Sequence, residues 1–345
     1  MFSSANIIQK EDKMSVSIQK AILHILDTNL GMPLLSENLM SFNDNMREYT
    51  EKHILKCYND ADLKKTKFIN EEGFFIKSVK EFGNTDDFIK FTNEVTEFFY
   101  KLLNDNPDIK PCDLLFVLAN VFNKDYMIIL KLNYKKGYIH YTKQEEGVKN
   151  IIIEQPHSLP AATQKIDEFI FVDINTFEVF VKEKKCQVSN EPCYYISRYI
   201  LECKEEKPDK EKVKIITETT DKIIKEYYDD DMMMKSKVKN IIRENVEESL
   251  NINVEKISEQ VFKDPKIKDE YNNEIKMKGI KEPEVKVNFN YANRIKTKQK
   301  LITDEGIEIN IPYEMISNTE KVEFINNSNG TISIVLKNID SIIDK

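Results

Sequence analysis

The sequence predicts an α+β protein with an N-terminal antiparallel sheet and packed helices, a helical middle region and a small β C-terminal unit. Two early segments repeat apolar residues every three or four positions, which is the period of an amphipathic helix. Short apolar segments separated by turn residues then follow one another, as in an antiparallel meander. A Lys-, Glu- and Ile-rich stretch separates this meander from a last segment in which the period returns to two.

The N-terminal elements follow from these periods. The two helices are predicted at 42–57 and 85–103. Their apolar stripes are Phe42, Met46, Tyr49, His53 and Cys57, and Phe88, Phe91, Val95, Phe98 and Leu102. The strands are predicted at 18–27, 114–122, 126–134, 138–142, 148–154, 168–174 and 177–182. The last two are predicted to form a hairpin, and we expect both helices to pack on one face of the sheet.

Changes in composition divide the rest of the chain. We predict a flexible tail at 1–13, an α+β domain at 14–203, a helical region at 204–283 and a small β domain at 284–345. The charged stretch 202–214 marks the first boundary, and Pro208 and Pro265 divide the helical region into short helices. In the last part, Val285, Val287 and Phe289 alternate with polar residues, which predicts a strand.

Composition limits the class of protein. Of 345 residues, 41% are hydrophobic and 32% charged, which indicates a globular protein with a highly charged surface. No apolar run is long enough to cross a membrane, and residues 1–13 lack the apolar core of a secretory signal. We therefore expect a cytoplasmic protein without a membrane partner. The net charge of −8 argues against a uniformly basic DNA binder, but a local basic face suffices for binding.

Cysteines and histidines predict no metal or cofactor site. The five cysteines include no CxxC pair, which fits a reducing compartment. The spacing of Cys186, Cys193 and Cys203 matches no common zinc motif, so we interpret them as packing residues. His24 and His53 lie on apolar stripes and are interpreted in the same way.

Residues 301–339 carry a family resemblance. They contain TDEGI at 303–307, IP at 311–312 and NGTISI at 329–334, and the opening strand reads IQKAILHILD at 18–27. Together with Leu159-Pro160, these segments resemble the NdpA/YejK-type bacterial nucleoid-associated family over about residues 15–340. The resemblance implies a DNA-binding, non-catalytic protein of the nucleoid that takes part in chromosome organisation, without catalytic residues or cofactors to carry over. A chromosome-maintenance role and a phage-defence role, with their protein partners, both stay open.

A basic window near the C-terminus is the main candidate for contact with double-stranded DNA. Residues 276–300 hold eight basic residues against Glu282 and Glu284, a net charge of +6. Its candidate contacts are Lys286, Arg294, Lys296, Lys298 and Lys300. Alternate lysines on a strand lie about 7 Å apart on one face, a spacing suited to successive phosphates. The alternative is an edge strand that lysines protect from aggregation.

A second candidate surface lies at residues 131–149, where Lys135 and Lys136 precede Tyr138 and Tyr141. Tyrosines beside lysines can stack on unpaired bases. The alternative is that these tyrosines form the half-buried face of a hairpin.

Two rival functions remain. Asp173 followed by Glu183 and Lys185 is the minimal pattern of a Mg²⁺-dependent nuclease, in which two carboxylates hold the ion and the lysine orients water. The alternative interpretation of these residues is a charged hairpin end. The other rival is a protein-interaction module that uses its acidic surface. The helices at 42–57 and 85–103 could pair between subunits of a homodimer, but burial in the core explains them equally well.

Overall fold

The computed structural model describes residues 16–81, 85–144, 147–295, 298–312, 315, 318, 320–339 and 341, without the side chains of residues 85, 294, 295, 298–300 and 326. It confirms the predicted α+β fold. The chain forms two compact units, Met1–Glu206 and Lys207–Lys345. Their boundary falls in the charged stretch 202–214, and the separate domains at 204–283 and 284–345 stay a prediction.

The first unit contains ten described strands and three described α-helices. The strands are β1 Val16–Leu26, β2 Lys64–Thr66, β3 Cys112–Val121, β4 Lys124–Asn133, β5 Lys135–Gln144, β6 Val148–Ser158, β7 Glu168–Asp173, β8 Val179–Lys182, β9 Cys186–Val188 and β10 Glu191–Cys193. The helices are α1 Asp44–Tyr58, α2 Phe74–Glu81 and α3 Thr85–Asp105. The predicted strands and both predicted helices are present, with ends shifted by at most four residues.

Six of these strands form one antiparallel sheet in the order β1-β3-β4-β7-β8-β2. Helix α3 covers one face, where Phe88 and Phe91 join Phe116 of β3 in a buried cluster. Helix α1 covers the other face, where Ile54 packs in a cluster with Val117 of β3. The expectation that both helices pack on one face was therefore wrong. The central strands are apolar on both faces, and each face needs its own cover.

The strands β5 and β6 leave this sheet and, among the described strands, pair only with each other, as a two-stranded ribbon. Strand β4 ends at Asn133, and a single residue, Tyr134, leads into the ribbon. Almost all described residues of the ribbon are exposed or half-buried. The ribbon therefore contributes little to the core of the unit.

The second unit has helices in its first half and short hairpins in its second. The helices are α4 Asp209–Tyr227, α5 Met232–Ser249, α6 Val254–Val261, α7 Pro265–Met277 and α8 Phe289–Ile295. The strands are β11 Asn251–Asn253, β12 Glu284–Lys286, β13 Lys298–Ile302, β14 Glu308–Pro312, β15 Val322–Asn326 and β16 Ile332–Leu336. They pair as β11–β12, β13–β14 and β15–β16, all antiparallel.

Proline and asparagine decide where helices of this unit begin. Pro208 is the N-cap of α4, the first helix of the unit, and Pro265 is the first residue of α7, so of the two prolines Pro265 divides helices as predicted. The strand predicted from Val285 to Phe289 is present as β12 but ends at Lys286, so its extension to Phe289 was wrong, because α8 begins there. The side chain of Asn288 accepts a hydrogen bond from the Tyr291 N–H at 2.7 Å, which favours the start of a helix over a longer strand.

None of the described helices has the length and apolar character needed to cross a membrane.

Candidate nucleic-acid interface

Lys298 and Lys300 lie two residues apart on β13. The register with β14 pairs Lys298 with Pro312 and Lys300 with Asn310. Residues that pair directly share a face of a sheet, and so do alternate residues of one strand. Both lysines therefore lie on the same face of this hairpin, about 7 Å apart along the strand.

The other face of the β13–β14 hairpin packs on the small core of the second unit. Leu301 pairs with Ile309 on that face, and both contact a buried cluster that contains Ile311. On the lysine face, Ile302 pairs with Glu308, and both are exposed. The face that carries Lys298 and Lys300 is thus the one opposite the core.

The remaining cations of the predicted C-terminal surface lie on other elements. Lys286 is exposed on β12, where it pairs with Asn251. Arg294 lies in α8, and Lys296 lies outside the described residues. The structure therefore brings Lys298 and Lys300 together by register, while Lys286 and Arg294 belong to separate elements.

One further lysine of the basic window is neutralised. The Lys278 ammonium lies 2.9 Å from a carboxylate oxygen of Glu274 and donates a hydrogen bond to the Thr219 hydroxyl. The same ion pair lowers the pKa of Glu274. The positive charge of residues 276–300 is therefore smaller in the folded protein than in the sequence.

Lys135 and Lys136 are exposed at the start of the ribbon. The Nζ of Lys136 lies 3.4 Å from a carboxylate oxygen of Glu154. Tyr138 and Tyr141 are 67% and 49% exposed, so neither forms the half-buried hairpin face that was the alternative interpretation. They lie on opposite faces of the ribbon, because they are three residues apart on one strand.

Lysines also face each other near the turn of the ribbon. Lys143 on β5 pairs directly with Lys149 on β6, and both are exposed. Like charges in directly opposed positions destabilise a ribbon. In the sequence, the hairpin turn near Gly147 with lysines at positions 143 and 149 on either side is the signal that could have identified this pair.

The base of the ribbon is fixed to the first unit by polar contacts. The Tyr134 hydroxyl donates a hydrogen bond to Asp113 at 2.6 Å, and its ring contacts the His157 ring at a centroid distance of 4.8 Å. His157 Nε2 lies 3.8 Å from a carboxylate oxygen of Asp27. Burial raises the pKa of Asp113, although the Tyr134 hydrogen bond opposes that effect. Both legs of the ribbon are therefore held at a defined position.

Lys131 does not belong to this surface. It is buried on β4, where its Nζ lies 2.7 Å from a carboxylate oxygen of Glu168 and 2.7 Å from the Asn133 side-chain oxygen. The lysine-rich window at 131–149 therefore combines a buried structural lysine with exposed ones.

The structure contradicts the nuclease pattern. Asp173 is 2% exposed, and its carboxylate accepts the backbone N–H groups of Asn175 and Thr176, both at 2.9 Å. Glu183 follows β8 at the other end of the hairpin, since Lys182 pairs with Phe169. Five residues of strand separate the two ends by about 17 Å, so these carboxylates cannot share one ion.

Glu183 instead holds a backbone segment in place. Its carboxylate accepts the N–H groups of Ile196 and Ser197 at 2.8 and 3.0 Å and forms a buried ion pair with Lys64 at 3.0 Å. Lys185 lies over the Tyr194 ring, 5.1 Å from its centroid. Glu183 and Lys185 therefore make contacts within the protein in place of the metal and water contacts that the nuclease hypothesis requires.

The three cysteines Cys186, Cys193 and Cys203 do not gather into one metal site in the described part of the chain. Cys193 pairs with Cys186 across the β9–β10 hairpin, whereas Cys203 forms its backbone hydrogen bond with Ser197. Burial raises the pKa of the Cys203 thiol to about 12. Within the described ranges, no three His, Cys, Asp or Glu side chains come together as a metal site.

Comparison with protein families gives a match over most of the chain. The family described as NA37, nucleoid-associated protein YejK, matches residues 22–343. No curated protein matches the chain significantly. The family match confirms the resemblance seen at residues 18–27 and 301–339.

Proposed function

The chain belongs to the NA37 family of nucleoid-associated proteins, described as YejK, and from this premise we propose that it binds double-stranded DNA without catalysing a reaction. The binding takes place in the cytoplasmic nucleoid and contributes to chromosome organisation. Its contacts are directed at the phosphate backbone and have little sequence preference.

The face of β13 that carries Lys298 and Lys300 is the observation on which this proposal rests. Two lysines at alternate positions of β13, on the face opposite the core and about 7 Å apart along the strand, are spaced to contact successive phosphates of one strand. Lys286, Arg294 and Lys296 extend this C-terminal lysine surface in the proposal. Lysine side chains supply point charges, which favours backbone contact over the reading of bases.

Lys135 and Lys136 are the second proposed contact. They are exposed where the ribbon leaves the sheet, and Glu154 offsets the charge of Lys136 only in part because that ion pair is exposed. We expect Lys135 and Lys136 to contribute less than the C-terminal lysine surface. In a protein of net charge −8, such local surfaces are where a polyanion can bind.

A salt titration tests the proposal. We expect the log–log plot of affinity for duplex DNA against salt to have a negative slope, which becomes shallower by about 0.9 for each phosphate contact removed. The test variant is the double substitution Lys298→Ala and Lys300→Ala. The control is Lys90→Ala with Lys101→Ala on α3, which removes the same charge from another exposed surface.

The same titration on two duplexes of equal length and different sequence tests the low specificity. We expect similar affinities and similar slopes for both duplexes. An equal slope for the test and control variants would remove the C-terminal lysine surface from the proposal, and an absence of binding at low salt would remove DNA binding itself.

A further inference from the structure

The register of the ribbon gives it one mainly apolar face. Ile139 pairs with Ile153, and two residues further Tyr141 pairs with Ile151. These four residues lie on the same face because they occupy alternate positions of two paired strands. We call them the apolar face of the ribbon. Ile139 and Tyr141 are 47% and 49% exposed, and Ile151 and Ile153 are half-buried.

An isolated two-stranded ribbon is only marginally stable in water, and a contiguous exposed apolar patch usually marks an interface. The base of the ribbon is nevertheless held by the Tyr134 hydrogen bond to Asp113 and by the ring contact between Tyr134 and His157. An element held in a defined position loses little freedom when a partner binds it. The apolar face is thus held in place without being part of a core cluster among the described residues.

We infer that the apolar face is the interface between two copies of this chain. A two-fold axis at the centre of the patch places the Ile139–Ile153 row of one copy against the Tyr141–Ile151 row of the other. Such an interface uses the same patch twice, as symmetric dimers do. Stacked ribbons about 10 Å apart would remove all four side chains from water.

The composition of the ribbon favours a protein partner over DNA at this face. Among the four side chains, only Tyr141 has a polar atom, whereas DNA grooves present hydrogen-bonding base edges. Residues 135–158 contain four lysines and three glutamates, a net charge of only +1. Contact with DNA, in contrast, is dominated by positive charge.

The lysines near the turn decide the orientation of the two ribbons. Lys143 and Lys149 form the next row of the same face toward the turn, and Gly137 and Gln155 form the next row toward the base. Ribbons stacked in parallel would bring four lysines together. In the antiparallel arrangement each lysine row meets the Gly137–Gln155 row of the other copy, where Gly137 leaves space and Gln155 supplies a hydrogen-bond acceptor.

The size of the patch predicts a weak dimer. One face of a two-stranded ribbon offers less than the roughly 800 Å² per partner of a standard stable interface. We therefore expect a reversible equilibrium between monomer and dimer. Such a dimer would place two sets of the proposed DNA contacts in one particle.

Sedimentation equilibrium of the full chain without DNA, from low micromolar to several hundred micromolar, tests this inference. We expect a concentration-dependent dimer. Ile153→Lys should weaken it by more than about tenfold, because a charge would be buried without a partner. The control is Ile152→Lys, at a neighbouring residue that is 78% exposed on the opposite face, and it should leave the dimer unchanged.

A second variant keeps the test decisive if Ile153→Lys disturbs the ribbon itself. Gln155→Glu places a carboxylate opposite Lys143 and Lys149 of the other copy, and should tighten the dimer by about two- to fivefold. Misfolding of the ribbon cannot produce a gain in affinity. Its control is Gln144→Glu, the same change on the opposite face, which should have no such effect.

The outcomes separate this inference from the proposed function. A monomer at every concentration, or a dimer that responds equally to Ile153→Lys and Ile152→Lys, overturns the inference. If the chain is monomeric and Ile153→Lys weakens DNA binding instead, the face binds DNA and the proposed function stands. A dimer that does not bind DNA overturns the proposed function alone.

Discussion

The strands β4 and β5 are neighbours in the chain, each has ten residues, and only Tyr134 separates them. Seven of the ten residues of β4 are buried, on both faces, because the strand runs between β3 and β7 in the sheet. Nearly all of β5 is exposed on both faces, because it pairs with β6 alone. The comparison teaches that a strand can form without contributing to the core, and that such a strand is then available for partners.

The same residue type has opposite roles in the two strands. Lys131 on β4 is buried in an ion pair with Glu168, where it stabilises the sheet. Lys135 lies four residues later, exposed at the base of the ribbon. Charge in the sequence therefore does not distinguish a structural lysine from one that can contact DNA.

The largest expected difference between the two strands concerns these lysines. Lys131→Ala should lower the free energy of unfolding by about 3–5 kcal/mol, because the Glu168 carboxylate stays buried without its partner. Lys135→Ala should change the free energy of unfolding by less than about 0.5 kcal/mol. Urea unfolding followed by circular dichroism measures both. Similar losses for the two variants would contradict the contrast between sheet and ribbon.

A pH titration compares a buried histidine of the sheet with an exposed histidine of the ribbon. His24 is buried on β1, its Nδ1 accepts the Ser36 N–H at 3.0 Å, and burial lowers its pKa to about 4. The unfolded chain takes up this proton near pH 6.5. The stability that depends on neutral His24 is therefore complete above about pH 6.5 and is lost as the pH falls toward about 4, by up to about 3 kcal/mol.

Urea unfolding at several pH values checks this expectation. His24→Gln should flatten the dependence of the unfolding free energy on pH between about 6.5 and about 4. His140→Gln, which removes an exposed imidazole from the ribbon, is the control. An unchanged acid dependence in His24→Gln would show that other groups cause the loss.

The smallest expected effect concerns side-chain hydrogen bonds. Asp173→Ala should lower the free energy of unfolding by about 1–3 kcal/mol, because two N–H groups of the β7–β8 turn lose their acceptor. On the ribbon, Asn150→Ala removes the exposed acceptor of a hydrogen bond from the Thr142 hydroxyl and should lower the free energy of unfolding by less than about 0.5 kcal/mol. Urea unfolding measures both variants.

A nuclease assay tests the rejected metal site. Duplex DNA incubated with Mg²⁺ and the wild-type protein should stay intact. Cleavage that Asp173→Ala abolishes would instead restore the nuclease hypothesis.

Much of the first unit could be predicted because its periods are unambiguous. The stripe through Phe88, Phe91 and Val95 indicated α3, and all three residues are buried, whereas Phe98 of the same predicted stripe is exposed and Phe99 is buried in its place. The short elements α2, β2, β9 and β10 were not predicted, since three to eight residues give too little periodicity to recognise. The packing of α1 and α3 on opposite faces of the sheet was also not predicted. The periodicity of a helix identifies its buried face but not the face of the sheet on which it packs.

The candidate site was predicted in part. Alternation placed Lys298 and Lys300 on one face of a strand, and the β13–β14 register agrees with that placement. Asp173 and Glu183 are close in sequence, yet the antiparallel hairpin puts them at its opposite ends. Sequence spacing does not state how far two strand ends are from each other, so the nuclease pattern could only be tested in the folded chain.

By itself, the sequence determined the period of each long helix and strand, the local charge of each window and membership of a nucleoid-associated family. The periods and the local charges depend on residues that are near each other in the chain, and family membership depends on the order of residues along 22–343. Only the tertiary structure decided that Lys131 is buried while Lys135 is exposed, and that the ribbon leaves the sheet with an uncovered apolar face. Burial depends on which distant segments pack on a strand, and the alternation of its own residues carries no information about those segments.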